Sequence, residues 1–488
     1  MESDHYAILG LSYNATSEEI RNAYFHLARQ VHPDVNPDPN TREQFLVIQK
    51  AYDTLSNTQR RAAYDDTLPP ELRFGPAISV NIRYSQAALA TLPEPQLTYA
   101  LIEMLCTADL DFNKLPACHV CLVLDRSTSM NGARMDRVKD SAFNMLQQLR
   151  PEDVLSVVSF NDRADVIIPP TRAAAINRSD PRISLLQCGG GTEIFQGLSL
   201  GVEQLLKTRP TLLRQLILLT DGQTYGDDEK CLALSKEARQ EGITISVLGI
   251  GHEWDDQLMD QLAVQNGGYS GFVAKPSDLD RFLQRKLTEM NDLYARGLHF
   301  EFESSPDVQL RYAFRLTPNT GPLPLNSPIQ LGNLQHHKSI GILLEFLLPP
   351  LKEKMDELVL ARGPIWMDLP GRSAKVRLMA DLRRPVKSEV EYETPSAVII
   401  EAMSKLTLYR MQERARKEVE VGQFENATKH LRAIATHLLS HGDRDLARTV
   451  LSEAENIQQN HQFSKDGDKR IKYGTRALLL PAGPEHKL

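Results

Sequence analysis

Between Cys118 and about residue 287 the chain alternates short apolar runs with amphipathic ones, and this alternation limits the fold more than any other feature. The apolar runs are Val120 to Leu124, Val154 to Phe160, Leu212 to Leu219 and Thr244 to Gly249. The amphipathic runs are Arg134 to Leu149, Ile194 to Leu206, Glu229 to Gln240 and Asp256 to Gln265. Strand, helix, strand repetition predicts a mainly parallel, doubly wound (Rossmann-like) α/β unit over residues 116–288. On either side the apolar period drops to two: Ile78, Val80, Ile82, Tyr84, Leu97, Tyr99 and Leu101 before it, Leu298, Phe300, Phe302, Val376 and Leu378 after it. Residues 77–115 and 297–385 are therefore expected to be two parts of one β-sandwich, with the α/β unit inserted between them.

Both ends of the chain carry helical patterns instead. Ile20, Ala23, Tyr24, Leu27 and Ala28 fall on one stripe, and Phe45, Ile48, Gln49, Tyr52 and Leu55 on a second. The prolines at 33, 37 and 39 deny continuation between them, so an all-α hairpin is expected over residues 1–66, followed by a linker at 67–76. Residues 394–460 read as three helices punctuated at Val421-Gly422 and at His441-Gly442-Asp443. VGQFENATKHL has the placement of a tetratricopeptide-like hairpin, but a single imperfect copy favours ordinary helical packing. Residues 461–488 are expected to be a basic, solvated tail or to end in a strand at Ala477 to Leu480.

Charge and cysteine usage exclude several classes. The 56 Lys plus Arg against 63 Asp plus Glu give a net charge of -7, which supplies no overall basic field for a nucleic acid. The start MESDHYAILG is acidic and lacks a basic segment followed by an apolar core, and the greasiest later run, Ile340 to Leu351, is interrupted by Glu345 and two prolines, so no export signal or membrane span is expected. Five cysteines in 488 residues are too sparse and too odd for a secreted disulfide framework, and a cytoplasmic location fits best. Cys118 and Cys121 form a CxxC, but residues three apart on a strand point to opposite faces, which favours two buried thiols over a zinc or redox pair.

His32-Pro33-Asp34 lies between the two N-terminal helices, with Tyr6, Leu9-Gly10, Ala23-Tyr24, Leu27-Ala28, Ala51-Tyr52, Leu55-Ser56, Arg61 and Tyr64-Asp65 around it. Over residues 3 to 66 this pattern resembles the J-domain (DnaJ-like) family. The resemblance implies docking on a DnaK-type chaperone ATPase, and stimulation of its ATP hydrolysis, through the His-Pro-Asp loop and the basic face of the preceding helix. Arg21, His26 and Arg29 supply that face here, while Asn22, Phe25 and Gln30 stand where the family usually offers Lys or Arg. The Gly/Phe-rich stretch and CxxC repeats of client-binding J-proteins are missing, so client capture is expected elsewhere in the chain.

At the end of the first apolar strand the chain reads Asp125-Arg126-Ser127-Thr128-Ser129, a DxSxS. Carboxylate and hydroxyl oxygens at alternate loop positions suit a hard cation such as Mg²⁺. Thr192 follows Gly189-Gly190-Gly191, and Asp221 follows the strand in LILLTDG. In a parallel sheet such loops meet in the crevice beyond the strands' carboxyl ends. Two carboxylates about 5 Å apart at an effective dielectric near 20 repel by roughly 3 kcal/mol, a penalty that a divalent cation removes. Asp125, Ser127, Ser129, Thr192 and Asp221, in this order, resemble the von Willebrand factor type A family and its metal-ion-dependent adhesion site. The resemblance implies that these five hold Mg (or Mn or Ca) with a position free for an acidic residue of a partner protein.

Catalysis is not expected. HExxH and GxxxxGK[ST] are both missing, and Ser127 stands where an aspartyl phosphotransferase would want a second acid. The chain is expected to be a co-chaperone or assembly adaptor, with a protein client held at the metal and a DnaK-type ATPase brought by the helical hairpin. The alternative is a regulatory partner of an AAA+ ATPase, resembling chelatase-type A proteins.

Overall fold

The computed structural model describes residues 4–11, 13, 15, 17–31, 39–68, 77–107, 116–177, 180–224, 226–251, 253–273, 276–351, 355–370, 376–390, 393–440, 442–464 and 467–478. The N-terminal unit consists of α1 (His5–Ile8), α2 (Ser17–Val31), α3 (Pro39–Leu55) and α4 (Thr58–Thr67). Its two apolar stripes meet in one small core of Tyr6, Leu9, Ile20, Ile48, Ala51 and Leu55. Tyr24 stacks on Tyr52 with ring centroids 4.0 Å apart. Asn57 caps α4 by accepting from Gln59 N and Arg60 N. The expected linker therefore starts later than 67, because α4 runs through Thr67; residues 69–76 lie outside the described residues.

Strands β1 (Ile78–Tyr84), β2 (Leu89–Ala90) and β3 (Gln96–Cys106) precede the α/β unit. That unit contains β4 (Cys118–Asp125), α5 (Ala133–Gln148), β5 (Val154–Phe160), β6 (Ala164–Arg172), α6 (Pro181–Ser184), α7 (Ile194–Leu206), β7 (Leu213–Thr220), α8 (Asp228–Gln240), β8 (Ile243–Ile250), α9 (Asp256–Asn266), β9 (Ser270–Val273) and α10 (Pro276–Asn291). Its sheet has the order β6-β5-β4-β7-β8-β9, parallel throughout except for β6. β6 was not expected as a strand: with two prolines and mostly half-buried or exposed residues it reads as a loop, yet these are the properties of an edge strand. β4 is buried along its whole length, as a central parallel strand must be. Cys118 packs with Val120 and Leu122 on one face of the sheet, and Cys121 with Val123 and Leu216 on the other. Burial pushes the Cys121 thiol up to about 12 and the Cys118 thiol in the same direction, so both are poor nucleophiles.

After the α/β unit come β10 (Leu293–Phe300), β11 (Gln309–Thr317), β12 (Gly321–Pro322), β13 (Ile329–Gln335), β14 (Ser339–Leu348), β15 (Glu357–Asp368) and β16 (Val376–Lys387). They combine with β1 to β3 into two sheets, β1-β3-β14-β11-β12 and β13-β10-β15-β16-β2, which enclose a core that includes Ile102, Met104, Leu298, Phe300, Ile342, Phe346, Ile365 and Leu378. Each sheet mixes strands from before and after the α/β unit, so the sandwich closes only when the chain returns from it. The second half starts at Leu293 rather than at 297.

Helices α11 (Ala397–Glu420), α12 (Phe424–Ser440), α13 (Arg444–Asn460) and α14 (Gly467–Leu478) end the described chain. α11 lays Ile399, Ala402, Leu406 and Tyr409 against Leu101, Phe314 and Leu343 of the sandwich. The expectation of a solvated tail or terminal strand is wrong: α14 is a helix whose Ile471 joins the helical core and whose Tyr473 joins the α/β core, 5.7 Å from the Trp254 ring. Two of its basic residues are spent on carboxylates of α9. Lys472 pairs with Asp256 and Asp260, and Arg476 with Asp260 at 2.7 Å. Among the described residues no helix is long and apolar enough to cross a membrane.

Candidate functional site

Chain order explains where the polar loops gather. From β4 the chain moves outward through β5 and β6, then crosses back to β7 on the other side of β4, so the direction of winding reverses between β4 and β7. Neighbouring βα loops separate at such a point and leave a crevice at the carboxyl ends of the strands. Asp125 is the last residue of β4, and Asp221 follows β7 directly.

The five residues expected to act together do converge there. Ser129 Oγ donates to Asp221 Oδ1 at 2.6 Å across 92 residues of sequence, and the Ser127 and Ser129 hydroxyls are 3.0 Å apart. Asp125 accepts from Ser127 N at 2.8 Å with one oxygen and from Thr220 Oγ1 at 2.6 Å with the other. Thr192 sits against the backbone of Gly222, where a Cβ would stand 2.9 Å from its Oγ1. The three glycines before Thr192 are stitched in place: Gly189 N donates to Arg126 O, Gly191 N to Asp162 Oδ1, and Gly190 O accepts from Thr128 N and Thr128 Oγ1. Gly190 has φ +83, a backbone that disfavours any side chain, and a Cβ there would crowd the Asp162 and Asn161 side chains.

Asp125 and Asp221 are fully buried. Burial raises the Asp125 carboxyl above its ordinary range, and the neighbouring Asp221 charge pushes the same way, against the hydrogen bonds from Thr220 and Ser127. Two buried carboxylates with hydroxyls packed beside them form a site that wants a cation. Every donor is a hard oxygen, so the set fits a magnesium-like ion. Among the described residues no group of three or more His, Cys, Asp and Glu side chains forms a metal cluster, so this candidate rests on hydroxyls and two carboxylates.

Two residues at the site were missed from the sequence. Arg134, from the first turn of α5, donates to Ser129 O at 3.2 Å and pairs with Asp221 Oδ2. Thr220 stands next to a predicted residue and looks like one more strand threonine. Nothing in the sequence marks Arg134, which reads as an ordinary exposed helix charge.

The expected chaperone-docking residues fare differently. His32, Pro33 and Asp34 lie outside the described residues. Arg21 and Arg29 are exposed on α2, with Arg21 5.7 Å over the half-exposed Phe25 ring. His26 instead turns to the sandwich, 4.0 Å from Glu357. Burial, followed by Arg383 and Arg362, lowers its pKa below the usual value, so it is neutral at pH 7 and brings no charge to the face. Nearby, Arg377 reaches Asp4 at 3.2 Å and lies 5.8 Å over the Tyr13 ring.

Comparison with known families assigns these parts. A DnaJ domain matches residues 4–65, and a von Willebrand factor type A domain matches residues 119–288. The chain carries a DnaJ domain and a type A domain. A third match, the Sll0103-like C-terminal alpha-helical domain, covers residues 397–481 and takes in α14 with the three helices before it. The uncharacterized protein sll0103 of Synechocystis sp. is 27% identical over 395 residues, which is 78% of this chain and 92% of that protein. Chaperone protein DnaJ 2 of Streptomyces avermitilis is 49% identical over 65 residues, 13% of this chain and only 17% of that protein. In fold, the type A protein from Catenulispora acidiphila superposes with a TM-score of 0.67 at 16% identity, over 82% of this chain and 97% of its own. The ArnB paralog VWA2 from Sulfolobus acidocaldarius follows at 0.55 and 15%, over 83% and 100%. The sandwich around the type A domain is thus a fold shared with those proteins, and the DnaJ domain is joined to it at the N-terminus.

Proposed function

We propose that this chain is a co-chaperone or assembly adaptor in which the type A domain holds a protein client and the DnaJ domain brings a DnaK-type ATPase to it. The observation that carries the reading is the Ser129 to Asp221 contact, which joins two separate loops into one oxygen-lined crevice on a chain that also bears a DnaJ domain. Asp125, Ser127, Ser129, Thr192 and Asp221 would hold a divalent cation, Mg²⁺ by the hardness of the donors. When bound, such an ion supplies a directional Lewis-acid position for an acidic side chain of the client. Thr220 and the Ser127 amide fix the Asp125 carboxylate, and the Gly189 to Gly191 loop sets Thr192 against Gly222.

On the DnaJ domain the exposed Arg21 and Arg29 of α2 supply positive charge for an acidic groove on the ATPase, with His32, Pro33 and Asp34 as the docking loop. Tethering both modules on one chain raises the effective concentration of the ATPase at the client without new contacts. The reading assigns no bond-breaking step to this chain.

The test uses the full chain in two variants. Asp34→Asn should abolish stimulation of a DnaK-type ATPase while magnesium uptake and magnesium-dependent capture of proteins from the native lysate persist. Asp125→Ala should do the reverse. A wild-type chain that takes up no magnesium in calorimetry, or an Asp34→Asn chain that stimulates as well as wild type, would refute the reading.

A further inference from the structure

A second cleft lies at the opposite end of the type A sheet, where β7 and β8 begin and β10 and β13 of the sandwich come up against them. It has a volume of about 600 Å³ and is lined by Arg214, Lys236, Arg239, Lys286, Arg296 and Arg315. The carboxylates that line it are Glu289 and Asp368, which leaves an excess of four positive charges. Both carboxylates are already engaged, Glu289 by Lys286 at 2.5 Å and Asp368 by Arg296 at 3.9 Å.

The remaining arginines have only neutral partners. Arg214 is 5% exposed, gives its terminal nitrogens to the carbonyls of Glu241 and Thr208, and leaves Nε buried with no partner. Arg239 donates to Gln265 O at 3.4 Å. Arg315 is also 5% exposed and donates to Asn319 O at 2.8 Å and Leu331 O at 3.4 Å. Among the described residues none of these three has a carboxylate within ion-pair distance. Burial lowers the pKa of all three guanidinium groups, and the more distant Glu241 charge at Arg214 and Glu289 charge at Arg315 do not offset it. Gathering unpaired buried cations round one cavity is costly, and a bound anion removes the cost.

We propose that this cleft binds a nucleotide-sized organic phosphate with several negative charges. Four of the six cations are arginines, whose forked donors engage phosphate oxygens two at a time. A volume of about 600 Å³ lies in the range of small-molecule sites and well beyond the needs of one carboxylate. The site is independent of the metal crevice, which occupies the other end of the sheet, and the ligand bridges the type A domain to the sandwich.

Calorimetric titration of the full chain in a chelating buffer, which removes divalent ions from the crevice, tests this with inorganic triphosphate and ATP as probes. Micromolar binding of either probe is expected; tighter binding of ATP identifies a nucleotide site, and equal binding identifies a polyphosphate site. Arg239→Gln and the rim substitution Lys236→Gln should each weaken binding about tenfold, with thermal midpoints checked to exclude misfolding, and Asp125→Ala should leave it unchanged. No binding of either probe up to about 1 mM, or undiminished binding in a folded Lys236→Gln, Arg239→Gln double variant, would overturn the proposal.

Discussion

Arg416 grips Asp256 with both terminal guanidinium nitrogens, at 2.9 and 2.8 Å, and so ties α11 to the start of α9 across 160 residues of sequence. Lys472 from α14 reaches the same carboxylate, and Asp468 pairs with Arg416 at 2.8 Å. Burial drives the Asp256 carboxyl upward, but Arg416 and Lys472 more than offset it and hold it at about 2. Removing one partner of such a buried pair leaves an unpaired charge and costs roughly 3–5 kcal/mol. Arg416→Ala should therefore lower unfolding stability by about that much in urea titrations, and Asp256→Ala with Arg416→Ala should cost less than the two singles added together. A loss below about 1 kcal/mol in Arg416→Ala would mean that Lys472 alone satisfies Asp256.

Acid should weaken the type A domain well above the carboxylate range. His119 is wholly buried on β4, with Nδ1 2.9 Å from Thr208 Oγ1 and Nε2 3.0 Å from Ser156 Oγ. Burial, helped by Arg214, lowers its pKa to about 4. An unfolded histidine titrates near 6.5, so between these values the unfolded chain binds the extra proton. Stability from this group is complete above pH 6.5 and is lost as pH falls towards 4, to a total on the order of 3 kcal/mol. Asp256 acts lower, because its depressed pKa gives stability that is lost only as pH drops from about 3.9 towards 2. Thermal midpoints recorded from pH 7 to 5 should fall in the wild type and stay nearly level in His119→Gln; parallel curves would assign the acid sensitivity to another group.

The convergence of the five candidate residues was readable because Asp125 closes a strand, Ser127 and Ser129 lie on the loop after it, Thr192 follows a glycine loop and Asp221 directly follows a strand, where position along the chain predicts position in space. Asp125 and Asp221 needed only the rule for parallel sheets. Arg134 was invisible because its role depends on a rotamer and on a partner in another βα loop. The C-terminal helix was misread for a related reason. Lys472 and Arg476 look like a solvated basic tail until Asp256 and Asp260, more than 200 residues earlier, appear beneath them. Gly474 lies against Leu446 of α13, where a Cβ would stand 2.7 Å from a Leu446 methyl. His26 was read as a weak member of the basic face, and only the fold shows the burial, reinforced by Arg383 and Arg362 of the sandwich, that lowers its pKa further.

The Gly189 to Gly191 loop should tolerate no side chain at its centre. Gly190→Ala places a methyl against Asp162 and forces a left-handed backbone on alanine, which costs about 1–3 kcal/mol of local strain. The loop can relieve this only by moving, and Thr192 moves with it. Magnesium affinity measured by calorimetry should fall about tenfold or more, with a small change in global stability. Gly189→Ala, where a Cβ meets nothing within 4 Å, is the matched control and should bind like wild type.

Arg134 and a divalent cation held at the proposed site would compete for one carboxylate. In the structure Asp221 is fully buried and takes its positive charge from Arg134, whose own side chain is 36% exposed. A magnesium ion held by Ser127, Ser129 and Asp221 would have to share Asp221 with that guanidinium or displace it, because two cations at one carboxylate repel. Arg134→Ala should thus have opposite effects in the two states. Without divalent ions it leaves Asp221 unpaired and should lower the thermal midpoint. With magnesium its affinity should rise several-fold, and saturating metal should restore the midpoint by mass action. Calorimetry and thermal melts on the same preparation separate the possibilities: weaker magnesium binding in Arg134→Ala would mean that the arginine positions Asp221 for the metal instead of standing in for it.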